Sequence, residues 1–182
     1  MSIKRKALLI QAAGGSVVLA LAMQPVFIMG YGSYVWILFT ALILFFATGA
    51  DFKKIPSIIA SFACGLAWAA LNGILMGALS GAPMWVSGIL LTILMVFSIL
   101  TVHENLLRDS IVGNIPSLFM GFALTIFMTS GHALAPAINQ IHLLAFFTAG
   151  IVMSVLLVLV GGFFCTMLLG KDWPKYVYGG IE

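Results

Sequence analysis

Charged side chains are missing from three long tracts of this chain, residues 7–50, 55–103 and 110–170. The eight Lys and Arg and five Asp and Glu residues are confined to four patches: Lys4–Lys6, Asp51–Lys54, Glu104–Asp109 and Lys171–Glu182. A water-facing surface cannot be built from such tracts, since a large share of the residues of a small soluble domain must meet solvent. Each tract is long enough to cross a bilayer twice, because one helical span needs about 20 apolar residues.

Other absences narrow the class further. The apolar runs do not alternate with polar residues, which excludes a membrane β-barrel and leaves helices, where each backbone polar group is bonded internally. Only two cysteines occur, Cys64 and Cys165, both inside apolar segments and without a CxxC, so they read as small buried hydrophobes. The net charge of +3 is spread over loops flanking the apolar tracts and forms no nucleic-acid footprint. What remains is a chain 63% hydrophobic and 7% charged.

The expected fold is all-α and integral to a membrane, a single polytopic domain over residues 1–182 with six spans near 7–29, 33–50, 55–80, 85–103, 114–131 and 141–169. The spans pair as three hairpins, and residues 170–182 form a short cytoplasmic tail. Connections at 30–32, 81–84 and 132–140 carry no Lys or Arg, whereas the alternate side carries all eight, which places both termini in the cytoplasm. Lys4-Arg5-Lys6 followed by an apolar run and Ala20-Leu21-Ala22 has the outline of a signal peptide. Gln11, Gly14, Gly15 and Ser16 interrupt it where such a segment is densest, so the run reads as a retained span. Tyr31, Tyr34, Trp36 and Trp85 fall at the outer interface and Trp173, Tyr176 and Tyr178 at the inner one, as headgroup anchors do. Prolines 56, 83 and 116 lie at span ends and none at a span centre.

Lys54–Ala63 aligns without gaps to Asn114–Ala123, so the third and fifth spans begin alike and a parallel internal repeat is an option. Small residues then recur every fourth position. The third span has Ser57, Ser61, Gly65, Ala69, Gly73, Gly77 and Gly81, the fifth Ser117, Gly121, Thr125 and Thr129, and the sixth Gly150 and Ser154. Membrane helices associate through close packing, and small residues at this spacing let backbones approach. The second and fourth spans are bulkier. The pattern therefore predicts a packed centre of spans one, three, five and six, with two and four facing lipid.

No ionisable Asp, Glu, Lys or Arg lies within a span, which argues against a proton relay, an ion pathway or an intramembrane catalytic centre. His103-Glu104-Asn105-Leu106-Leu107 lacks the second His of a zinc protease motif, and no nucleotide or hydrolase signature occurs. His132 and His142 flank an outer loop without acidic or Cys companions and read as solvated. No catalytic residue, metal site or cofactor is expected. Candidates for a substrate pathway are uncharged: Trp68 and Asn72, on one helix face with Gly65, then Gln11, Gln24 and Thr125. The bland alternative for Asn72 is a hydrogen bond to a neighbouring helix.

The run Trp36-Ile-Leu-Phe-Thr-Ala-Leu-Ile-Leu-Phe-Phe-Ala, then Lys53-Lys54 and Gly65-Leu-Ala-Trp-Ala69, resembles the YcdZ-like proteins, small bacterial inner-membrane proteins classed as a domain of unknown function. The resemblance implies a bacterial inner membrane and carries over no functional residue. Three functions compete. The leading one is a small permease or channel-like protein for an uncharged or weakly polar solute. The second is a substrate-binding membrane subunit of an ATP-driven uptake system, since the size, six spans and small-residue first helix resemble the S-components of energy-coupling-factor transporters. The third is a non-transport assembly protein whose Gly stripe contacts itself in a homo-oligomer or another membrane protein. The expected partners are the lipid bilayer and a small solute, with no nucleic acid.

Overall fold

The computed structural model describes residues 2–129 and 137–178, and these are helical with no strand among them. The helices are α1 Ile3–Ile28, α2 Val35–Ala47, α3 Ile55–Ala78, α4 Met84–Ile99, α5 Ile115–Thr129, α6 Gln140–Leu169 and a short α7 Trp173–Tyr178. Leu100–Leu106 continues α4 with π-helical winding, closed by Leu107 N–H donating to Val102 C=O at 2.9 Å. Four helical stretches are long and apolar enough to cross a membrane: Ile3–Ile28, Phe52–Ala78, Met84–Leu106 and Gln140–Leu169. The chain is thus a membrane protein in character. Two of the six expected spans fall short. At 13 and 15 residues, α2 and α5 reach only about 20 Å, against a hydrocarbon core of about 30 Å. Two residues of the fifth expected span, 130 and 131, lie outside the described residues, as do His132 and Pro136.

Local signals set the helix ends. Ser2 accepts the Arg5 backbone N–H at 3.3 Å to cap α1. Pro25 lies in the last turn of that helix, three residues before it ends at Ile28. Gly49 at φ 78° turns the chain out of α2, and the Asp51 carboxylate accepts Lys53 N–H at 2.9 Å ahead of α3. Asn139 caps α6, accepting His142 N–H at 3.0 Å.

Residue pairs give the relative directions. Ala7 meets Cys165, Gln11 meets Gly161 and Gly15 meets Leu157, so α1 runs antiparallel to α6. Tyr34 stacks on Phe146 and Leu38 lies under Gly150, so α2 runs parallel to α6. Phe62 stacks on Phe147 with ring centroids 3.7 Å apart, and Gln140 approaches the Leu66 carbonyl, so α3 is antiparallel to α6. Ser61 meets Asn114 and Gly65 meets Leu118, so α3 and α5 are parallel. Alternating directions follow, yet the tightly packed pairs are α3 with α5, and α6 with α1 and α2. These are not sequence neighbours. The expected hairpins are therefore not the packing units, because backbone contact forms where small residues face each other.

The centre also differs from expectation. Ile37, Ala41, Leu44 and Phe45 of α2 join Ile58, Phe62 and Leu66 of α3, Leu124 of α5, and Leu143, Phe147 and Ile151 of α6 in one core. In α1 only Ala7 and Val26 are buried. The centre is α2, α3, α5 and α6, with α1 and α4 outside. Bulky side chains misled for α2, since lipid is as apolar as Leu and size alone does not separate a core face from a lipid face. Two aromatic assignments change as well. Tyr34 is fully buried, and Trp173 is buried against Ala7 and Cys165, its indole N–H donating to Thr166 Oγ1 at 3.0 Å. In the tail, Lys175 bonds Asp172 at 2.7 Å, and that hydrogen bond pushes its pKa up.

Candidate functional site

The small-residue stripe builds the crossing on which the site rests. A Cβ on Gly65 would collide with the Leu118 carbonyl, and one on Gly121 with the Phe62 carbonyl. The two backbones touch, and only glycine fits at either place. Ser61 Oγ accepts the Asn114 backbone N–H at 3.0 Å, while Asn114 Oδ1 accepts Ser117 N–H at 3.1 Å. A donor that begins α5 is thus satisfied by α3, fixing the register of the two helices. Ala69 is buried on the same helix. Further along, the stripe stops packing. A Cβ on Gly73, Gly77 or Gly81 would meet nothing within 4 Å among the described residues, so no packing partner for them is seen there.

Past the crossing, a cleft of about 500 Å³ opens between the end of α5 and the start of α6. Its walls are Thr125, Met128, Thr129, Ile138, Asn139, Gln140, Ile141 and Leu143. Thr125 Oγ1 donates to the Gly121 carbonyl at 2.9 Å and Thr129 Oγ1 to the Thr125 carbonyl at 2.9 Å. Each hydroxyl spends its proton on its own helix and keeps lone pairs to accept a bond. Gln140 Nε2 reaches the Leu66 carbonyl only at 3.5 Å. The polar lining is hydroxyl and amide, with no formal charge. The volume lies within the range of small-molecule pockets.

Of the five pathway candidates, Thr125 alone lines this cleft. Gln24 is exposed and donates to the Ala20 carbonyl at 3.0 Å, and Gln11 lies against Gly161. Trp68 and Asn72 are half-buried on α3. The Trp68 indole N–H donates to His103 Nε2 at 3.0 Å, and His103 Nδ1 lies 2.9 Å from the Val112 carbonyl. An indole N–H can only donate, so Nε2 accepts and the Nδ1–H tautomer faces Val112. His103 thereby ties α3 to the π-helical end of α4 and to the loop before α5. Sequence reasoning passed it over as part of a failed zinc motif. The signal was present in the spacing: Ser87, Leu91, Met95 and Ile99 are buried on α4, and His103 is next in that series.

Residues that could hold a metal do not gather. Among the described residues no group of three or more His, Cys, Asp or Glu side chains comes together. Cys64 and Cys165 are free thiols. One buried polar atom, Ser117 Oγ, has no partner among the described residues.

The chain belongs to the DUF1097 family, described as a protein of unknown function, whose profile matches residues 12–168. No curated protein matches the chain. No solved structure matches it either.

Proposed function

We propose that this DUF1097 member is a small permease or channel-like protein that passes an uncharged or weakly polar solute. The observation that carries this reading is the cleft between α5 and α6, with two threonine hydroxyls and the Asn139 and Gln140 amides set among apolar walls. Such a lining suits a solute that needs hydrogen bonds and no counter-charge. In this reading all six helices cross the bilayer of a bacterial inner membrane, as the YcdZ-like resemblance implies, with both termini cytoplasmic by the distribution of Lys and Arg. The short α2 and α5 cross with the help of flanking turns and local thinning of the bilayer. The cleft then opens at the outer face, and the chain acts without catalysis or cofactor.

Solute efflux from proteoliposomes tests the reading, using a panel of polyols, urea and small amides. Wild-type vesicles should leak at least one of these faster than empty vesicles. Gln140→Leu and Thr125→Val should each slow that flux by about tenfold, as expected for losing one hydrogen bond of about 1.4 kcal/mol. Vesicles no leakier than empty ones across the panel would remove the reading.

A second reading has its own support. Gly73 and Gly77 leave a flat strip on α3, and Gly81 follows in the turn after it, with no neighbour within 4 Å among the described residues. A non-transport assembly protein would use that strip to hold another copy or another membrane helix. Crosslinking in native membranes separates the two: a chain that stays monomeric, and is unchanged by Gly77→Leu, removes this second reading.

A further inference from the structure

A second groove lies near the other end of α6 and is apolar in character. It runs between α1 and α6, has a volume of about 340 Å³, and is walled by Ile10, Ala13, Gly14, Val17, Phe164 and Leu168. Along α1 it extends from Ile10 to Val18, about 12 Å of helix. One leaflet of hydrocarbon is about 15 Å deep, half of the bilayer core. The groove is therefore long enough for part of one acyl chain and too short for a helix that spans the whole membrane.

Charge decides what kind of chain. Lys6 precedes Ile10 by four residues, so the two are neighbours one turn apart on α1. The groove thus begins one turn above an exposed ammonium. Lys4 and Arg5 adjoin it, and Lys171 follows the end of α6, which is antiparallel to α1 and so ends at the same level. Among the described residues that follow α6, the acidic one, Asp172, is already paired with Lys175 at 2.7 Å. Among the described residues no carboxylate pairs with Lys4, Arg5, Lys6 or Lys171. A basic rim at the membrane surface with an apolar slot running inward is complementary to an anionic headgroup carrying a hydrocarbon tail.

We propose that the α1–α6 groove binds one acyl chain of an anionic phospholipid, with the headgroup phosphate held by Lys6 and its basic neighbours. Gly14 keeps the slot open, since a Cβ there would press within 3.2 Å of the Phe164 ring. The slot runs along the outside of the seam where α1 packs on α6. The site does not depend on the solute cleft, which lies between other helix ends.

Native mass spectrometry of the full chain tests this, after exchange into detergent containing equal amounts of dioleoylphosphatidylglycerol and dioleoylphosphatidylcholine. Wild type should retain one phosphatidylglycerol in preference to phosphatidylcholine. Lys6→Ala should reduce that preference about fivefold, the equivalent of one basic residue at a membrane surface. Ala13→Phe, which fills the slot, should lose the retained lipid of either headgroup, and Ile43→Phe on α2 should change nothing. Equal retention of both lipids by wild type would overturn the proposal, as would unchanged selectivity in Lys6→Ala. Should Ala13→Phe fail to fold, the Lys6→Ala result still decides. Glycerol phosphate without a tail should not compete; if it displaces the lipid, the apolar groove is not the site.

Discussion

The two halves of α3 carry the same spacing of small residues and meet different fates. Gly65 lies against the backbone of α5, while Gly73, Gly77 and Gly81 face nothing within 4 Å among the described residues. The reason is rotational. An α-helix turns about 100° per residue, so each four-residue step drifts about 40° around the axis. From Gly65, the stripe has turned about 80° by Gly73 and about 120° by Gly77, and Gly81 lies in the turn beyond the end of α3. A straight partner such as α5 can follow only the first few members. Spacing thus confers the ability to pack, and the opposing helix decides which members use it.

The sharpest way to break this comparison is to add bulk at its packed end. Gly65→Leu should prevent folding, and Gly65→Ala should cost about 3 kcal/mol, because the Leu118 carbonyl is backbone and cannot rotate away. Thermal unfolding in mild detergent reads this out. A Gly65→Ala protein as stable as wild type would show that the α3–α5 contact is looser than described. Gly150→Ala should behave similarly, at about 2 kcal/mol, since its Cβ would come within 2.6 Å of the Leu38 carbonyl and 2.7 Å of Ala41.

Next in size is the polar tie between α3 and α4. Trp68→Phe leaves His103 Nε2 without its donor, and His103→Phe leaves the indole without its acceptor. Each should destabilise the chain by about 1–2 kcal/mol, the cost of an unsatisfied buried group. The double variant should cost less than the sum of the two, because the second change removes the orphan left by the first. Strict additivity in this cycle would mean that the two rings contribute independently.

These expectations also show what the amino-acid order revealed and what it concealed. Charge placement made the apolar helices and their approximate ends legible, and the Lys54–Ala63 match to Asn114–Ala123 pointed to the two helices that prove to be parallel and packed together. Burial in α2 was not legible, since Phe45 and Ile37 would look the same facing lipid. The functional groups divided in the same way. Thr125 was identifiable from the stripe, whereas Asn139 and Gln140 sit at a helix start that reads simply as a loop boundary. His103 was hidden because its partners, Trp68 and Val112, lie far from it in the chain or offer only a backbone oxygen.

Ser117 gives a smaller test of the packed end. Its hydroxyl is fully buried and has no partner among the described residues, although its backbone N–H is satisfied by Asn114. Ser117→Ala should therefore be neutral or stabilise by up to about 1 kcal/mol, since it removes a desolvated polar atom and little volume. A loss of more than 1 kcal/mol would show that the hydroxyl makes a bond in the membrane.

The smallest effect on stability should come from the open end of the stripe. Gly77→Leu puts a side chain into free space on α3, in a residue type that favours helix, so unfolding of the isolated chain should shift by no more than about 0.5 kcal/mol, toward greater stability. The contrast with Gly65→Leu, twelve residues away on the same helix, is the test. If Gly77→Leu proves as damaging as Gly65→Leu, the strip must be occupied by a partner outside the described residues. A loss that appears in native membranes but not in purified monomer would locate that partner on the C-terminal half of α3.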